Sequence, residues 1–298
     1  MAVTEAPWTV RRLLEWTNQF FAKKDVDAPR LSAELLLSHT LNLSRIKLYT
    51  EYDRPLAPAE LGKYRDLVKR AGEQEPIAYL TGTAHFFNLE FDVGPGVLIP
   101  RPDTETLVEN VLQAARNEPG LATPRVLDLC TGSGCVAAAV AKHLKNATVT
   151  AIDVSPRAVE LATKNLERLG LADRVTVLHG DLFAPLAGSA AEAAPFDVIV
   201  SNPPYIPTGQ IAALDRNVRD YEPREALDGG PDGLALHRRI LAEGSDRLVP
   251  GGRVYLEIGH DQGDAARALA GGYETFERVQ ILKDYGGRDR VLAARKKA

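Results

Sequence analysis

The sequence predicts an α/β protein, a doubly wound parallel sheet with a small N-terminal helical domain. Three observations carry this. From Arg125 onward, short apolar runs alternate with helical patterns, which is how a parallel sheet covered by helices reads. Residues 8 to about 75 instead show only the period of amphipathic helices. The chain's 298 residues exceed one ordinary core and suit a small domain beside a larger one.

Each element follows in order. Leu13, Leu14, Thr17, Phe20 and Phe21 fall on one helical face, and "RLSAELLLSHTL" and "PAELGKYRDLVKRAGE" behave alike. Residues 1–80 carry 12 Lys and Arg against 11 Asp and Glu, so this domain is near neutral and suits protein docking better than a grip on nucleic acid. "TGTAHFFNLEFDVGPG" alternates like a hairpin. In "VLIPRPDTETLVENVL", Pro100 and Pro102 force extended chain before a helix capped by Asp103 or Thr104. "RVLDLC" then reads as a buried strand, "GCVAAAVAKHL" as a helix and "TVTAID" as a strand. "SPRAVELATKNLERLG" is a helix with Ser155 as its cap, Pro156 at its first position and Gly170 as its stop. "RVTVLHGD" and "FDVIVSN" are strands, followed by a long loop, the helix "GLALHRRILAEGSDRLV" and the strands "RVYLEIG", "TFERVQIL" and "RVLAAR". The Ala-rich "LAGSAAEAAP" at 186–195 reads as a flexible surface insert. The expected organisation is a helical recognition domain over 1–80, a hairpin and linker over 81–108, and a sheet domain over 109–298.

Composition narrows the function. Hydrophobic residues at 45% and charged residues at 26% fit a folded globular chain. No apolar run approaches the ~20 residues that span a bilayer, and the region of Trp8, Arg11 and Arg12 lacks a signal-peptide core, so a cytoplasmic protein without membrane contact is expected. Two cysteines, Cys130 and Cys135, are too few for a disulfide framework, and the six histidines form no HxxxH pattern, so no structural metal is expected. A net charge of −4 argues against bulk binding of nucleic acid. A monomer is expected.

Chemistry concentrates in two places. After the first strand of the sheet comes "DLCTGSG", in which Gly132 and Gly134 permit a tight turn into a helix whose first N–H groups can receive a carboxylate or phosphate. The loop Cys130, Thr131, Gly132, Ser133 and Gly134 is the candidate cofactor cradle. With Ala137 it also satisfies the dinucleotide fingerprint G-x-G-x-x-A. Asp153 ends the next strand, where an acidic side chain binds ribose hydroxyls or, alternatively, caps a helix. Asp181 could accept from an adenine amino group, with Leu182 or Phe183 over the ring. Phe183 has a second reading as core.

The other place is "VSNPPYIP" at 200–207. Asn202 ends the fourth strand of the sheet domain, and Pro203 and Pro204 supply carbonyl acceptors without competing donors. The Asn202 amide can accept from a substrate N–H and donate to that substrate's own carbonyl or ring nitrogen. With the Pro203 carbonyl taking a second N–H and Tyr205 walling the pocket, a planar NH₂ group would be aimed along one line. Methyl transfer from a sulfonium needs that alignment, and orientation can supply ~7–11 kcal/mol of the barrier. No catalytic base is demanded, because the proton can leave after the methyl arrives.

These residues carry a resemblance. D-P-P-Y or, as here, N-P-P-Y after the fourth strand, with a D-x-G-x-G-x-G-like loop after the first, is similar to the class I S-adenosylmethionine-dependent methyltransferases that act on planar nitrogens. "EPIAYLTGTAHFFNLEFDV", "LIPRPDTETLV", "LDLCTGSG", "SNPPYI", "EPREALDGGPDGL" and "LEIGHDQ" resemble, in order and nearly end to end, the blocks of the HemK or PrmC protein-glutamine methyltransferases. The resemblance implies a Rossmann-like class I methyltransferase fold and an N-terminal domain that helps recognise class 1 peptide chain release factors. It also implies methyl transfer to the glutamine nitrogen of their Gly-Gly-Gln loop. By matching position, Cys130 to Gly134, Asp153, Asp181, Leu182 and Asn202 would contact S-adenosylmethionine, and Asn202, Pro203, Pro204 and Tyr205 the glutamine. Cys130 stands where the family's loop has glycine, which is tolerable if its φ stays negative. Leu182 stands where an aromatic residue often covers adenine. Arg101 in "LIPRPDTE" reads either as a contact to the substrate backbone or as part of a salt-bridged linker. Two other functions compete: a DNA or RNA amino methyltransferase, which would want a basic groove, and a nucleotide-binding adaptor without catalysis, which would not need an intact N-P-P-Y.

Overall fold

The computed structural model describes residues 7–188 and 195–298, and most of the Ala-rich insert expected at 186–195 lies outside the described residues. The chain divides into two compact units, Met1–Thr83 with Asp215–Tyr221, and Ala84–Leu214 with Glu222–Ala298.

In the first unit, α1 (Val10–Ala22), α2 (Pro29–Leu41), α3 (Arg45–Thr50), α4 (Pro58–Gly72) and α5 (Ile77–Thr81) surround one apolar core. Thr9 caps α1 by accepting from the Arg12 N–H, and the helix buries Val10, Leu13, Thr17 and Phe21 on the face the periodicity predicts. Leu14 and Phe20 sit at the margin of that core. Tyr64 is wholly buried and donates to Thr17 Oγ1 at 3.0 Å, which satisfies the polar end of a side chain that would otherwise be costly inside.

The second unit opens on the expected hairpin, β1 (Thr83–Phe86) and β2 (Leu89–Asp92), the first residue of which belongs to the helical unit. Phe87 and Asn88 turn it with positive φ of 49° and 60°, the two-residue geometry that matches strand twist. The sheet domain proper contains α6 (Glu105–Asn117), β3 (Arg125–Leu129), α7 (Cys135–His143), β4 (Thr148–Asp153), α8 (Pro156–Arg168), β5 (Val175–His179) and β6 (Phe196–Ser201). A short α9 (Arg216–Arg219) falls in the helical unit. The sheet domain is completed by α10 (Ala235–Gly244), β7 (Leu248–Glu257), α11 (Gly263–Gly271), β8 (Phe276–Lys283) and β9 (Asp289–Lys296).

The seven-stranded sheet runs β5-β4-β3-β6-β7-β9-β8. It is parallel through β7, and β9 and β8 add an antiparallel edge. The apolar runs of β3 and β6 lie in its centre and are buried almost throughout, as strands covered on both faces must be. Strand order reverses at β3, between β4 and β6, so a crevice opens beyond the ends of these strands. Ser155 caps α8 and Gly170 ends it with φ 69°, both as predicted. One cap differs from expectation. Thr104 stands at the start of α6 in helical conformation, its hydroxyl makes no cap, and Asp103 instead pairs with Arg290 at 3.0 Å. Among the described residues, no helix is long and apolar enough to cross a membrane, and no group of three or more His, Cys, Asp or Glu side chains could hold a metal ion.

Candidate active site

A single crevice of the second unit is lined by Cys130, Thr131, Gly132 and Ser133, by Asp153, by Asp181 and Leu182, and by Arg101, Asn202 and Pro204. Val97, Leu98, Ile152 and Leu236 give it apolar walls.

At one end the protein backbone does most of the shaping. The Thr131 N–H donates to the Ile152 carbonyl at 3.1 Å, which ties the loop after β3 to β4. Asp153 accepts from the Gly132 N–H at 2.8 Å and the Ser155 N–H at 2.9 Å, so its carboxylate braces the cradle from below while still facing the crevice. Since Ser155 is the cap of α8, the competing role for Asp153 falls to its neighbour. Asp128, wholly buried just before the loop, accepts from the Thr131 hydroxyl at 2.6 Å and the Ala137 N–H at 3.1 Å. Burial pushes its carboxyl up to about 7. Asn165 of α8 spans from the Ser133 carbonyl, 2.9 Å, to both backbone groups of Asp92, fastening loop and hairpin to one side chain.

Two expectations at this end need correcting. Cys130 does not keep negative φ: at 58° it lies in the left-handed region, where its Cβ is strained but the chain turns as glycine would turn it. Burial pushes its thiol well up, so it stays uncharged. Phe183 does not cover a ligand, because it is packed in the central core with Leu127, Ile199 and Ile240. Leu182, at φ 47°, belongs to the same core but, unlike Phe183, also lines the crevice. Asp181 does reach the crevice, and Arg239 grips its carboxylate through two N–H groups at 3.1 and 2.9 Å.

The other end is held by side chains. Asn202 follows β6 and its Nδ2 donates to Thr104 Oγ1 at 3.1 Å. Pro203 and Tyr205, expected beside it, do not line the crevice. The Tyr205 ring instead is partly buried, with its hydroxyl donating to Glu257 Oε1 at 3.3 Å. Glu257, at the end of β7, is wholly buried; burial pushes its carboxyl up to about 7 against the downward pull of Thr104, Arg290 and Tyr205. His237 of α10 bonds the Glu257 carbonyl at 2.7 Å, and burial lowers its ring to about 4, so the ring is neutral. Gln262 Nε2 donates to the Tyr205 carbonyl at 2.9 Å.

The block 222–234 clamps this loop. Ile206 exchanges backbone bonds with Leu227 and Gly229 at 3.0 and 2.9 Å. A Cβ on Gly229 would stand 2.7 Å from the Pro204 carbonyl oxygen, and one on Gly233 would run into that of Tyr205. Only glycine lets the two chains approach so closely. Arg101 pairs with buried Glu222, whose other oxygen accepts from the Ile99 N–H at 3.2 Å; the salt-bridged reading of Arg101 is therefore realised, while its side chain still lines the crevice. Thr104, Glu257, His237 and Gln262 were not singled out from the sequence as site residues. Their only signal was membership of the blocks "LIPRPDTETLV" and "LEIGHDQ", or of a helix.

Comparison with known proteins agrees with this architecture. Residues 12–82 match the family model described as PrmC N-terminal domain, and residues 102–217 match the methyltransferase small domain. Proteins named release factor glutamine methyltransferase align nearly end to end. The one from Geobacter sulfurreducens is 45% identical over 300 residues, covering 98% of this chain and 99% of that protein. That from Rhodopirellula baltica is 41% identical, covering 98% of each. That from Moorella thermoacetica is 44% identical, covering 96% and 98%. Among solved structures, a methyltransferase from Pyrococcus furiosus superposes with TM-score 0.52 and 21% identity, over 77% of this chain and 98% of its own. The hMettl16 catalytic domain, solved with an RNA hairpin, does so with TM-score 0.52 and 20% identity, over 71% and 76%. These two share the fold. With relatives above 40% identity along almost its whole length, the chain belongs to the release factor glutamine methyltransferase family.

Proposed function

We propose that this chain transfers a methyl group from S-adenosylmethionine to the side-chain amide nitrogen of the Gly-Gly-Gln glutamine in class 1 peptide chain release factors. One observation carries the reading: a single crevice joins a glycine-rich cradle to Asn202, whose Nδ2 gives one N–H to Thr104 Oγ1, leaving its other N–H and its Oδ1 for a substrate amide.

The residues present fit the cofactor. The cradle Cys130 to Gly134, the Asp153 carboxylate, Asp181 and Leu182 would hold it, offering backbone N–H groups, acceptors for hydroxyls and an amino group, and apolar surface. When bound, S-adenosylmethionine supplies a methyl carbon made electrophilic by the adjacent cationic sulfur. The chain's own contribution is placement. Asn202 Oδ1 accepts one N–H of the glutamine amide, and the apolar walls near Leu98 and Leu236 keep water from competing for it. Pro203 and Tyr205, which do not line the crevice, act by holding the Asn202 loop from behind. Arg101 lies where it can meet the backbone of the substrate loop.

Residues 1–80 serve in this reading as the recognition domain, 81–108 as hairpin and linker, and 109–298 as the catalytic domain. The crevice is complete within one chain, which supports action as a monomer, and the net charge of −4 supports an enzyme that grips protein and not nucleic acid; a cytoplasmic enzyme is proposed. The experiment is incubation with methyl-labelled S-adenosylmethionine and either release factor or DNA. Label entering the factor, and lost when its Gly-Gly-Gln glutamine is replaced, is the expected result. Label in DNA, or none in either, overturns the assignment.

A further inference from the structure

Taking an arginine out of water is costly even when its charge is matched, and an apolar pair of similar volume often serves folding as well or better. A buried arginine is therefore explained by what it holds still. Arg290 stands on β9, at the antiparallel edge of the sheet. Its charge is met by Asp284, whose side chain, like that of Arg290, is only 7% exposed. Asp284 Oδ2 accepts from Nε at 3.2 Å and from Nη2 at 3.1 Å, and its Oδ1 accepts from the Arg288 N–H at 3.0 Å, so the carboxylate is fixed within its own hairpin.

Nη2 nevertheless reaches a second carboxylate, with Asp103 Oδ2 at 3.0 Å. This pair adds little to stability, because the Asp103 side chain is 56% exposed and exposed ion pairs contribute almost nothing net. What it settles is position. Asp103 lies in the short turn Pro102–Thr104, flanked closely by two residues that line the crevice, Arg101 and Thr104. On the other side of that turn Arg101 pairs with buried Glu222, which also takes the Ile99 N–H. The chain over 99–104 is thus pinned at two points, by Glu222 and by Arg290. Thr104 follows directly on the second pin, is buried, and accepts from Asn202 Nδ2 at 3.1 Å.

We propose that Arg290 is a positioning residue for methyl transfer: through Asp103 it sets where Thr104 stands, and so where Asn202 holds its amide. Neither Arg290 nor Asp103 touches the reacting atoms. The pin gives the segment "LIPRPDTE" a purpose beyond linking, and it gives the antiparallel edge of the sheet a part in the reaction. This rests on Asn202 orienting the glutamine amide.

The test is steady-state methyl transfer to release factor by Asp103→Asn, which keeps the shape of an exposed side chain and removes the charge that Arg290 holds. The expected result is a fall in kcat of about tenfold, within what a shift of an ångström at an orienting group can cost. KM for release factor and Kd for the cofactor should stay within about threefold, and the urea midpoint of unfolding should not move. Arg290→Lys keeps a charge against Asp284 but lacks the fork that serves two carboxylates, and it should slow transfer to a similar degree. Combining the two substitutions should slow it no further than the slower single variant. Should Arg290→Lys fail to fold, Asp103→Asn decides alone. An unchanged kcat for Asp103→Asn, a rate loss accompanied by a lowered urea midpoint, or losses that multiply in the double variant overturn the pin. Asn202→Ala in the same assay separates the two levels: normal transfer by it would sink the reading of the site itself, whereas a dead Asn202→Ala beside an unimpaired Asp103→Asn sinks only the pin.

Discussion

The two ends of the crevice are built by different means. The cofactor end is a stretch of backbone held by short-range partners: Thr131 bonds the Ile152 carbonyl, the Asp153 carboxylate holds the Gly132 N–H, and Cys130 and Leu182 adopt the left-handed region themselves. Its parts lie within about 60 residues of chain. The reacting end is a side-chain construction whose members come from 104, 202, 205, 229, 233, 237, 257 and 262, brought together by the sheet. The first kind of pocket tolerates a changed side chain so long as the chain can turn. The second tolerates almost no added atom.

That contrast can be broken most sharply at Gly233. Its φ is 77°, and a Cβ there would meet both the Tyr205 carbonyl and the Gln262 amide. Gly233→Ala should cost roughly 2–5 kcal/mol of folding stability and abolish transfer, as read by denaturant unfolding and the labelling assay. A variant with native stability and rate would show that the clamp is loose.

The next effect is a pH dependence of stability, read at Glu257 of the side-chain end. Glu257 is pushed up to about 7 by burial, whereas an unfolded glutamate ionises near 4. Between these values the folded chain keeps a proton that the unfolded chain has released, so this group makes stability fall as pH rises, by about 1.4 kcal/mol per pH unit. Asp128, also pushed up to about 7, acts in the same direction, and His237, lowered to about 4, acts oppositely between about 4 and 6.5. Glu257→Gln removes one contribution and leaves the others. Relative to the parent, the variant should therefore gain about 3 kcal/mol between pH 4.5 and 7 in urea unfolding. Parallel curves would mean that Glu257 ionises normally.

The smallest effect belongs to the cofactor end. Cys130→Gly relieves a left-handed side chain but frees the unfolded chain, two effects of about 1 kcal/mol each that nearly cancel. Stability should stay within about 1 kcal/mol and cofactor Kd within about threefold. A tenfold loss of affinity would give the thiol a role that backbone geometry does not supply.

The same contrast explains what could be read in the sequence. The alternation of strands and helices, the Ser155 cap, the Gly170 stop and the cradle were legible because each is a local pattern. That β9 and β8 run antiparallel was not, since apolar runs do not carry direction. Of the two readings open for Phe183, the core one holds: Leu182 and Phe183 share one core cluster, and of the two only Leu182 also lines the crevice, a distinction that sequence order does not carry. Sequence alone puts Tyr205 in the wall because its partner Glu257 lies 52 residues away, and leaves Asp103 or Thr104 as a cap because Asn202, the partner of Thr104, lies 98 residues away. The blocks at 222–234 and 256–262 were visible, but their glycines and Gln262 make sense only once the Pro204 and Tyr205 carbonyls are against them.

All of this turns on Asn202 presenting an acceptor to a planar amide. The direct measurement is the single-turnover rate of methyl transfer to release factor by Asn202→Ala, taken with its Kd for S-adenosylmethionine. The expected result is a rate at least about 10²-fold lower, with cofactor Kd within about threefold of the parent. A rate within threefold of the parent would contradict the account.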